Sequence, residues 1–357
     1  MEDIESIYSR LADLLDGLPS GFSPSDTGEH IRLLEHLFTP EEVELATHLT
    51  LDQEVAGEIA GRANISVAEA ERRLEEMAEK GLIFSVKTDE GPILYQAAPW
   101  VIGIYEFQVN RLDEVLLQKI SDYWSTSRSV ERPRTIPQMR TIPVNESIDP
   151  QLDVLPYENV EELVRAHEKF AVATCICRTK EKKMGRGCDA PTESCLIFGD
   201  FADFYVRTGR GRKIEREEVM ELLAKANEAN LVLNPTNSMF VSAICCCCGD
   251  CCGILRGLQS HPKPSEAVAS SFIVSFEEDA CAGCGACLER CQMQAITPVE
   301  SGVAVNTDRC IGCGLCVSTC PTGALRLVRK PGSASKEMPG TFFETWYTIA
   351  QEQAKET

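Results

Sequence analysis

The stretch CAGCGACLERC at residues 281–291 recurs as CIGCGLCVSTC at residues 310–320. Every cysteine of the first run has a counterpart 29 residues later, so that Cys281 corresponds to Cys310. A repeat of this regularity indicates two copies of one structural unit. In each run, three cysteines at every third position suit a tight loop that places three thiolates around one metal centre. The fourth cysteine is expected to begin a short helix and point away, so each centre must take its fourth ligand from elsewhere.

These runs resemble the cluster-binding runs of bacterial-type ferredoxins. The resemblance implies a ferredoxin-like fold with two 4Fe-4S clusters, each of which takes its fourth ligand from the other half. The implied ligand sets are Cys281, Cys284, Cys287 and Cys320 for one cluster, and Cys310, Cys313, Cys316 and Cys291 for the other. The alternative interpretation is a pair of zinc knuckles, because Cys-x-x-Cys pairs also bind zinc.

The residues around the cysteines also suit this loop. Four glycines are expected to adopt positive φ where the backbone approaches a cluster, namely Gly283, Gly285, Gly312 and Gly314. Pro321 follows the last cysteine, as it does in ferredoxins, whereas Gln292 stands at the matching place in the first run. We expect this departure to affect the turn and not the ligands.

The distribution of cysteine favours metal binding over disulfides. All 18 cysteines lie after residue 174. The N-terminal stretch MEDIESIYSRLADLLDG shows no export signal, since no positive segment precedes an apolar one. No apolar run approaches the roughly 18 residues of a membrane span. The sequence therefore predicts a cytoplasmic protein whose reduced thiols bind metal.

Ten further cysteines lie upstream of the repeat: Cys175, Cys177, Cys188, Cys195, Cys245, Cys246, Cys247, Cys248, Cys251 and Cys252. A strand predicted over residues 170–176 would place the first two on one face, and an extended run over residues 245–248 would alternate its cysteines between two faces. These thiols predict one or two additional clusters. The simplest division gives the first four to one cluster and the last six to another, and mixed ligation is the alternative. Buried or redox-reactive thiols without metal are a third interpretation.

Two resemblances extend beyond the ferredoxin runs. The Cys-Cys-Gly sequences at residues 247–249 and 251–253 resemble those of heterodisulfide-reductase subunits, whose wider motif spacings are absent here. The succession Cys-Ile-Cys-Arg, Gly-Cys-Asp, Cys-Leu-Ile-Phe-Gly and Cys-Cys-Gly, followed by a ferredoxin, is similar to a family of multi-cluster 4Fe-4S proteins from anaerobic bacteria and archaea. This second resemblance covers most of the chain and implies no substrate.

Residues 1–122 are predicted to form a winged helix-turn-helix-like domain. Its helices are expected from Pro40, over residues 51–62 and from Ser66 to Gly81, followed by hairpin strands at residues 82–86 and 93–97. Residues 1–110 carry 7 Lys or Arg against 22 Asp or Glu, a net charge of −15 within a chain of −20. Because groove binding needs positive side chains, this charge disfavours nucleic acid and favours a protein partner.

The predicted fold class is α+β with several domains. After a linker at residues 123–156, rich in Pro, Arg, Ser and Thr, we expect a Cys-rich α/β iron-sulfur module at residues 157–262, a ferredoxin-like module at residues 270–330 and an amphipathic tail at residues 331–357. The apolar stripe of the tail, which includes Phe342, Trp346 and Ile349, is expected either to pack on its own domain or to dock a partner subunit.

Three functions fit these patterns. The first is an electron-transfer protein or redox-complex subunit with three or four 4Fe-4S clusters, whose ferredoxin module exchanges electrons with a partner protein. The second is an oxidoreductase whose central module holds an open-site or unusual cluster that reduces a substrate or activates a partner's cofactor. The third is a redox-sensing transcription regulator. The sequence has no Walker loop, no strand-linked Gly-x-Gly-x-x-Gly and no haem Cys-x-x-Cys-His, so no motif predicts a nucleotide, a flavin or a haem.

Overall fold

The computed structural model describes residues 4–87, 91–127, 136–333 and 338–356. The chain divides into two compact units. Unit 1 comprises residues 1–136, 203–212 and 346–357, and unit 2 comprises residues 137–202 and 213–345. Helices and strands occur in both units, which confirms the α+β expectation.

Unit 1 combines helices with a small antiparallel sheet. Up to residue 126 its elements are α1 (Ile4–Asp16), α2 (Glu29–Leu37), α3 (Pro40–Ala46), β1 (Glu54–Val55), α4 (Ala56–Ala63), α5 (Val67–Lys80), β2 (Ile83–Lys87), β3 (Ile93–Ala97), α6 (Tyr105–Phe107) and α7 (Glu114–Thr126). The sheet has the order β1–β3–β2, and its β2–β3 pair is the predicted hairpin. The helix expected over residues 51–62 begins later, at Ala56, because residues 54 and 55 pair with β3 first.

Helix α5 begins and ends where its sequence predicts. The Ser66 hydroxyl accepts a hydrogen bond from the Glu69 amide at 3.2 Å, which satisfies one of the free amides of the first turn. Gly81 ends the helix with a φ of 74°, a conformation that costs glycine little. The apolar face between these ends is buried, namely Ala70, Leu74, Met77 and Ala78.

Unit 2 is built around a five-stranded sheet of order β6–β4–β5–β8–β7. From residue 160 onward the elements are α8 (Val160–Arg165), β4 (Phe170–Thr174), α9 (Ile176–Lys183), β5 (Glu193–Phe198), α10 (Gly199–Arg207), β6 (Gly211–Ile214), α11 (Arg216–Glu228), β7 (Val232–Pro235), β8 (Ala243–Cys247), α12 (Gly253–Ser260), α13 (Pro264–Ala267), β9 (Phe272–Phe276), α14 (Ala286–Arg290), β10 (Ile296–Val299), β11 (Gly302–Val305), β12 (Leu325–Arg329) and α15 (Phe342–Glu356). Parts of α10, β6 and α15 belong to unit 1. The β4–β5, β5–β8 and β7–β8 pairs are antiparallel.

One hydrophobic core in unit 2 joins the Cys-rich and ferredoxin segments. Leu196 and Phe198 of β5 belong to the same buried cluster as Ile311 and Leu315 of the second ferredoxin run. Burying such a side chain contributes roughly 1.5–3 kcal/mol relative to leaving it in water. The two cysteine-bearing segments are therefore packed together within one unit.

Two residues of the segment predicted to be a linker belong to this core. Residues 128–135 lie outside the described residues. Ile142 and Val144 are each only 1% exposed. Their amides donate to the carbonyls of Leu233 and Cys313 at 3.1 and 3.0 Å. The expectation of a surface linker is thus wrong for these residues, because two apolar positions are too few to reveal a periodicity.

The apolar stripe of the tail lies on helix α15. Phe342, Trp346 and Ile349 are 1%, 1% and 2% exposed. These three side chains are therefore buried, which agrees with a stripe that packs within its own chain, and docking of a partner subunit by the tail stays a prediction. Among the residues that the structure describes, no helix combines the length and apolar character needed to cross a membrane.

Candidate metal centres

Two cavities in the ferredoxin segment are each lined by four cysteines. The first cavity is lined by Cys281, Cys284, Cys287 and Cys320, and the second by Cys291, Cys310, Cys313 and Cys316. The free space at the two cavities, part of it open to solvent, is about 330 and 400 Å³. Each cavity combines three cysteines of one run with the last cysteine of the other. These are the two groupings that the ferredoxin resemblance implies.

Strand pairing explains this exchange of the last cysteine. In the antiparallel β9–β12 pair, Phe276 lies opposite Leu325, so the chain that leaves β9 toward Cys281 starts beside the chain that arrives from Cys320. In the β10–β11 pair, Ile296 lies opposite Val305, which brings Cys291 and Cys310 to the same end of the hairpin in the same way. The register of the two strand pairs therefore places a cysteine of one run next to three of the other.

Backbone amides point at the sulfur atoms of several of these cysteines. The Ala295 amide donates to Cys291 Sγ at 3.2 Å, the Val274 amide to Cys310 Sγ at 3.4 Å and the Gly283 amide to Cys281 Sγ at 3.5 Å. Such donors stabilise negative charge on a thiolate, which is the form that binds metal. The chemistry of both cavities thus fits 4Fe-4S clusters.

The short helix expected to begin at the fourth cysteine is absent from the first run. Helix α14 ends at Arg290, and Cys291 follows it with an extended backbone. Three residues later, Gln294 has a φ of 53°, which turns the chain directly into β10. The expectation is wrong because the strand begins too soon after Cys291 for a helix to form.

The four loop glycines have positive φ as predicted, but their surroundings differ. Their φ values are 65° at Gly283, 73° at Gly285, 72° at Gly312 and 76° at Gly314. A Cβ atom on Gly312 would lie 2.2 Å from the Phe272 carbonyl oxygen, whereas one on Gly283 would have no neighbour nearer than 3.8 Å. Gly283 and Gly312, which are equivalent positions of the repeat, therefore share a positive φ but differ in the room available for a Cβ atom.

We expect Gly312→Ala to destabilise the protein by about 1–3 kcal/mol more than Gly283→Ala, because only the first substitution pushes on strand β9. Both variants also carry the strain of an alanine at positive φ, so Gly283→Ala is the matched control. The measurement is the apparent unfolding temperature under anaerobic conditions. Equal losses in the two variants would show that backbone strain alone decides the effect.

Gln292, the residue in place of the ferredoxin proline, connects the second cavity to the Cys-rich segment. Its Oε1 accepts from the Gly249 amide at 2.7 Å, and its Nε2 donates to the Asn230 carbonyl at 2.8 Å. The side chain of Gln259 donates to its carbonyl at 2.7 Å. Gln292 directly follows Cys291 and Gly249 directly follows Cys248, so these bonds join two cysteine-bearing loops. A proline here would lose both side-chain bonds.

Six upstream cysteines lie in a continuous row on one side of the five-stranded sheet. In the order of their thiol contacts, this cysteine row consists of Cys177, Cys175, Cys195, Cys245, Cys247 and Cys252. Cys195 and Cys245 are cross-strand partners on β5 and β8, and directly opposed residues face the same side of a sheet. Cys247 lies two residues further along the same strand and shares that face.

Two cysteines of the row lie at helix N-termini. Cys175 is the N-cap residue of α9, and Cys252 is the N-cap residue of α12. The Arg178 amide donates to the first thiol and the Leu255 amide to the second. Free amides at a helix start favour a thiolate. The predicted strand ends at Thr174, so Cys175 and Cys177 come together through the start of a helix and not through a strand face.

The thiols of the row differ in their pKa values. Hydrogen bonds from Cys177 and Cys195 hold the pKa of Cys175 well below its usual range, and bonds with Cys195 and Cys247 lower the pKa of Cys245 to about 6. The contact with Cys245 raises the pKa of Cys247 well above its usual range. Adjacent thiolates repel one another, so they alternate with thiols until a cation neutralises them. A bound metal would release these protons.

Three other cysteines form a separate group, the cysteine triad of Cys188, Cys248 and Cys251. The Cys188 sulfur lies 3.3 Å from that of Cys248 and 3.8 Å from that of Cys251. Cys248 and Cys251 are buried and Cys188 is half-buried.

The structure thus divides the upstream cysteines between row and triad, and not by their order in the sequence. Cys188 lies with Cys248 and Cys251, whereas Cys195 lies with Cys245, so the thiol contacts do not follow the simplest division; mixed ligation of clusters stays a prediction. Cys246 belongs to neither group. It faces the opposite side of β8 from its neighbours and packs in the hydrophobic core.

Two buried polar side chains lie at these groups although the sequence predicted no role for either. Arg178 is 1% exposed, its guanidinium Nη2 lies 3.5 Å from Cys248 Sγ of the triad, and its positive charge lowers the pKa of Cys175 in the row. Asn234 lies opposite Cys245 on β7, and its amide opposes the rise in the pKa of Cys247. The only signal for Arg178 in the sequence is that it directly follows Cys177.

Eight cysteines around two cavities, with backbone amides directed at their sulfurs, define an iron-sulfur protein. Residues 274–327 match the family model of a 4Fe-4S dicluster domain, and this range includes both cysteine runs of the repeat. Comparisons with curated proteins and with solved structures gave no match to the chain. The chain is therefore an iron-sulfur protein with a dicluster domain following its Cys-rich segment.

Proposed function

We propose that this protein transfers electrons, either alone or as a subunit of a redox complex. The observation that carries the proposal is the pair of four-cysteine cavities in the dicluster domain. Cys281, Cys284, Cys287 and Cys320 would hold one 4Fe-4S cluster, and Cys291, Cys310, Cys313 and Cys316 the other. A 4Fe-4S cluster held by four thiolates accepts and releases single electrons.

The surroundings of the two cavities suggest a direction for electron flow. Cys284, which lines the first cavity, is exposed, so this cavity is the one that a redox partner protein would reach. The second cavity contributes Cys291 and Cys313 to the core shared with the Cys-rich segment. Gln292 links it to the loop after Cys248. We propose that electrons pass between the cysteine row and the partner through the second and then the first cavity.

The cysteine row supports a third cluster site. Four of its six thiols are enough for a cubane cluster, and the start of helix α9 favours a thiolate at Cys175, whose pKa is held well below its usual range. All 18 cysteines are free of disulfides, which agrees with the proposal that the protein works in a reducing cytoplasm.

Iron counting and stopped-flow oxidation test this proposal. Protein purified anaerobically is expected to contain at least about twelve irons, four for each cubane cluster. After reduction, it should deliver about three electrons in single steps to a basic acceptor such as cytochrome c, and added salt should slow the transfer because the chain is acidic. About eight irons would contradict the third cluster. Failure to deliver any electron would contradict the proposed function.

A second candidate function is an oxidoreductase whose chemistry takes place at the row. The observation in its favour is the number of thiols, since six exceed the four that an ordinary cubane needs. An enlarged cluster, or one with an open iron position, would use this ligand set. EPR and Mössbauer spectra of a Cys284→Ser/Cys291→Ser variant isolate the row from the dicluster domain. Spectra that show only ordinary four-thiolate cubanes would contradict the hypothesis that the row is an enzyme site.

We also propose that residues 40–97 form a winged helix that binds protein. The order helix, strand, two helices and two strands over α3 to β3 supports this. Every cation of α5 is engaged in an ion pair: Arg72 with Glu69 and Glu76, Arg73 with Glu69, and Lys80 with Glu42. Few charges are left for phosphate contacts. Tight, salt-sensitive binding to duplex DNA would instead support a redox-sensing regulator.

A further inference from the structure

The cysteine triad is more compact than any other group of potential metal ligands in the described part of the chain. The sulfur atoms of Cys188, Cys248 and Cys251 all lie within 4.8 Å of one another. Among the described residues, no other three Cys, His, Asp or Glu ligand atoms meet this condition. The eight cysteines of the dicluster domain are all described, so their thiols are spaced more widely.

This difference in sulfur spacing indicates whether a group of cysteines fits a cubane cluster or a single metal ion. A cubane cluster separates its thiolates, and the dicluster cysteines of this same structure show such open spacing. Four sulfurs around one tetrahedral ion with metal–sulfur bonds of about 2.3 Å lie about 3.8 Å apart. The Cys188 sulfur lies 3.3 and 3.8 Å from the other two sulfurs of the triad, and all three lie within 4.8 Å of one another. The triad therefore has the dimensions of a single-ion site.

We infer that Cys188, Cys248 and Cys251 bind one Zn²⁺ ion through three thiolates and leave its fourth position to an exogenous ligand. Tetrahedral thiolate sites select zinc over the harder divalent ions. Three protein ligands with one open position are the arrangement of reactive zinc sites, whereas structural sites are closed by four. No fourth protein ligand joins the triad among the described residues. The half-buried Cys188 brings the site toward the surface, where water or a small thiol completes it.

The residues around the triad fit the charge and the size of a zinc ion bound by three thiolates. Three thiolates and one Zn²⁺ leave a single negative charge, and Arg178 Nη2 lies 3.5 Å from Cys248 Sγ. The same guanidinium donates to the Ser194 hydroxyl at 2.6 Å and to the Cys246 carbonyl at 3.3 Å, which fix its position. Gly187 packs against the triad, since a Cβ atom at this position would lie 3.1 Å from Cys251 Sγ. The inference goes beyond electron transfer and does not depend on it.

Elemental analysis of the full chain tests the metal. Protein purified anaerobically from zinc-supplemented medium is expected to contain about one zinc, and Cys188→Ser and Cys251→Ser should each lower this at least about fivefold while leaving the iron content unchanged. The unchanged iron also shows that the variants are folded. Cys246→Ala is the matched control, since this cysteine faces the core, and it should keep its zinc. Loss of about four irons from Cys188→Ser or Cys251→Ser, with no zinc in the parent protein, would overturn the inference in favour of a cubane.

Cobalt substitution tests the open position. Replacing the zinc by Co²⁺ is expected to produce thiolate-to-cobalt charge-transfer absorption that is absent from Cys251→Ser. Added dithiothreitol should shift the cobalt bands as its thiolate takes the fourth position. A spectrum that shows four thiolates before the addition and no shift after it would overturn the open site.

Discussion

Replacing Cys284 and Cys320 together is expected to remove about four irons per chain, no more than either replacement removes alone. The reason is that both residues line the first cavity, although they come from different runs of the repeat. If replacing one ligand already removes the whole cluster, replacing a second ligand of the same cluster removes no further iron. Iron and sulfide analysis of serine variants purified anaerobically measures this.

The matched control replaces Cys284 and Cys291, which line different cavities. This pair is expected to remove about eight irons, because each replacement destroys its own cluster. The reverse result, with eight irons lost from Cys284→Ser/Cys320→Ser and four from the control, would assign each cluster to a single run. EPR spectra of the remaining reduced cluster provide an independent reading, since loss of one cluster removes the magnetic coupling between the two.

Cys245→Ser is expected to remove at least about four irons that do not belong to the dicluster domain. Cys245 lies in the middle of the cysteine row, where its sulfur contacts those of Cys195 and Cys247. Loss of a central ligand affects any cluster that the row holds, whether ordinary or enlarged. The measurement is the iron content together with the EPR signals that persist in the Cys284→Ser/Cys291→Ser background.

Cys246→Ala is the control for this substitution because Cys246 is adjacent in sequence and faces the opposite side of β8. We expect it to retain all the iron and to lower stability only through the small volume removed from the core. If Cys246→Ala and Cys245→Ser lost equal amounts of iron, the division of the strand into a metal face and a core face would be wrong.

Local patterns predicted much of this molecule. The ferredoxin resemblance of the repeat implied two groups of four cysteines, the same cysteines line the two cavities, and the family match covers both runs; that each group holds a cluster stays a prediction. Ser66 and Gly81 predicted the ends of α5 from capping alone. These predictions succeed because a loop with cysteines at every third position, like a capped helix, depends on contacts within a few residues of the chain.

The grouping of the upstream cysteines depended on the sheet. Cys195 and Cys245 are 50 positions apart in the sequence, and only the β5–β8 pairing makes them neighbours. Cys188 is likewise brought to Cys248 and Cys251 by the fold, away from the cysteines nearest to it in sequence. No spacing rule relates such residues, so their order along the chain did not predict the thiol contacts.

The type of the candidate metal ligands was thus determined by the sequence alone, through 18 cysteines in dense runs without one in the first 174 residues. Which cysteines share a site, the burial of Arg178 between two of these sites and the link from Gln292 to Gly249 were decided only by tertiary structure. The physical reason is that a thiol's chemistry is intrinsic to the residue, whereas its neighbours are set by strand order and register, which arise from packing of the whole unit.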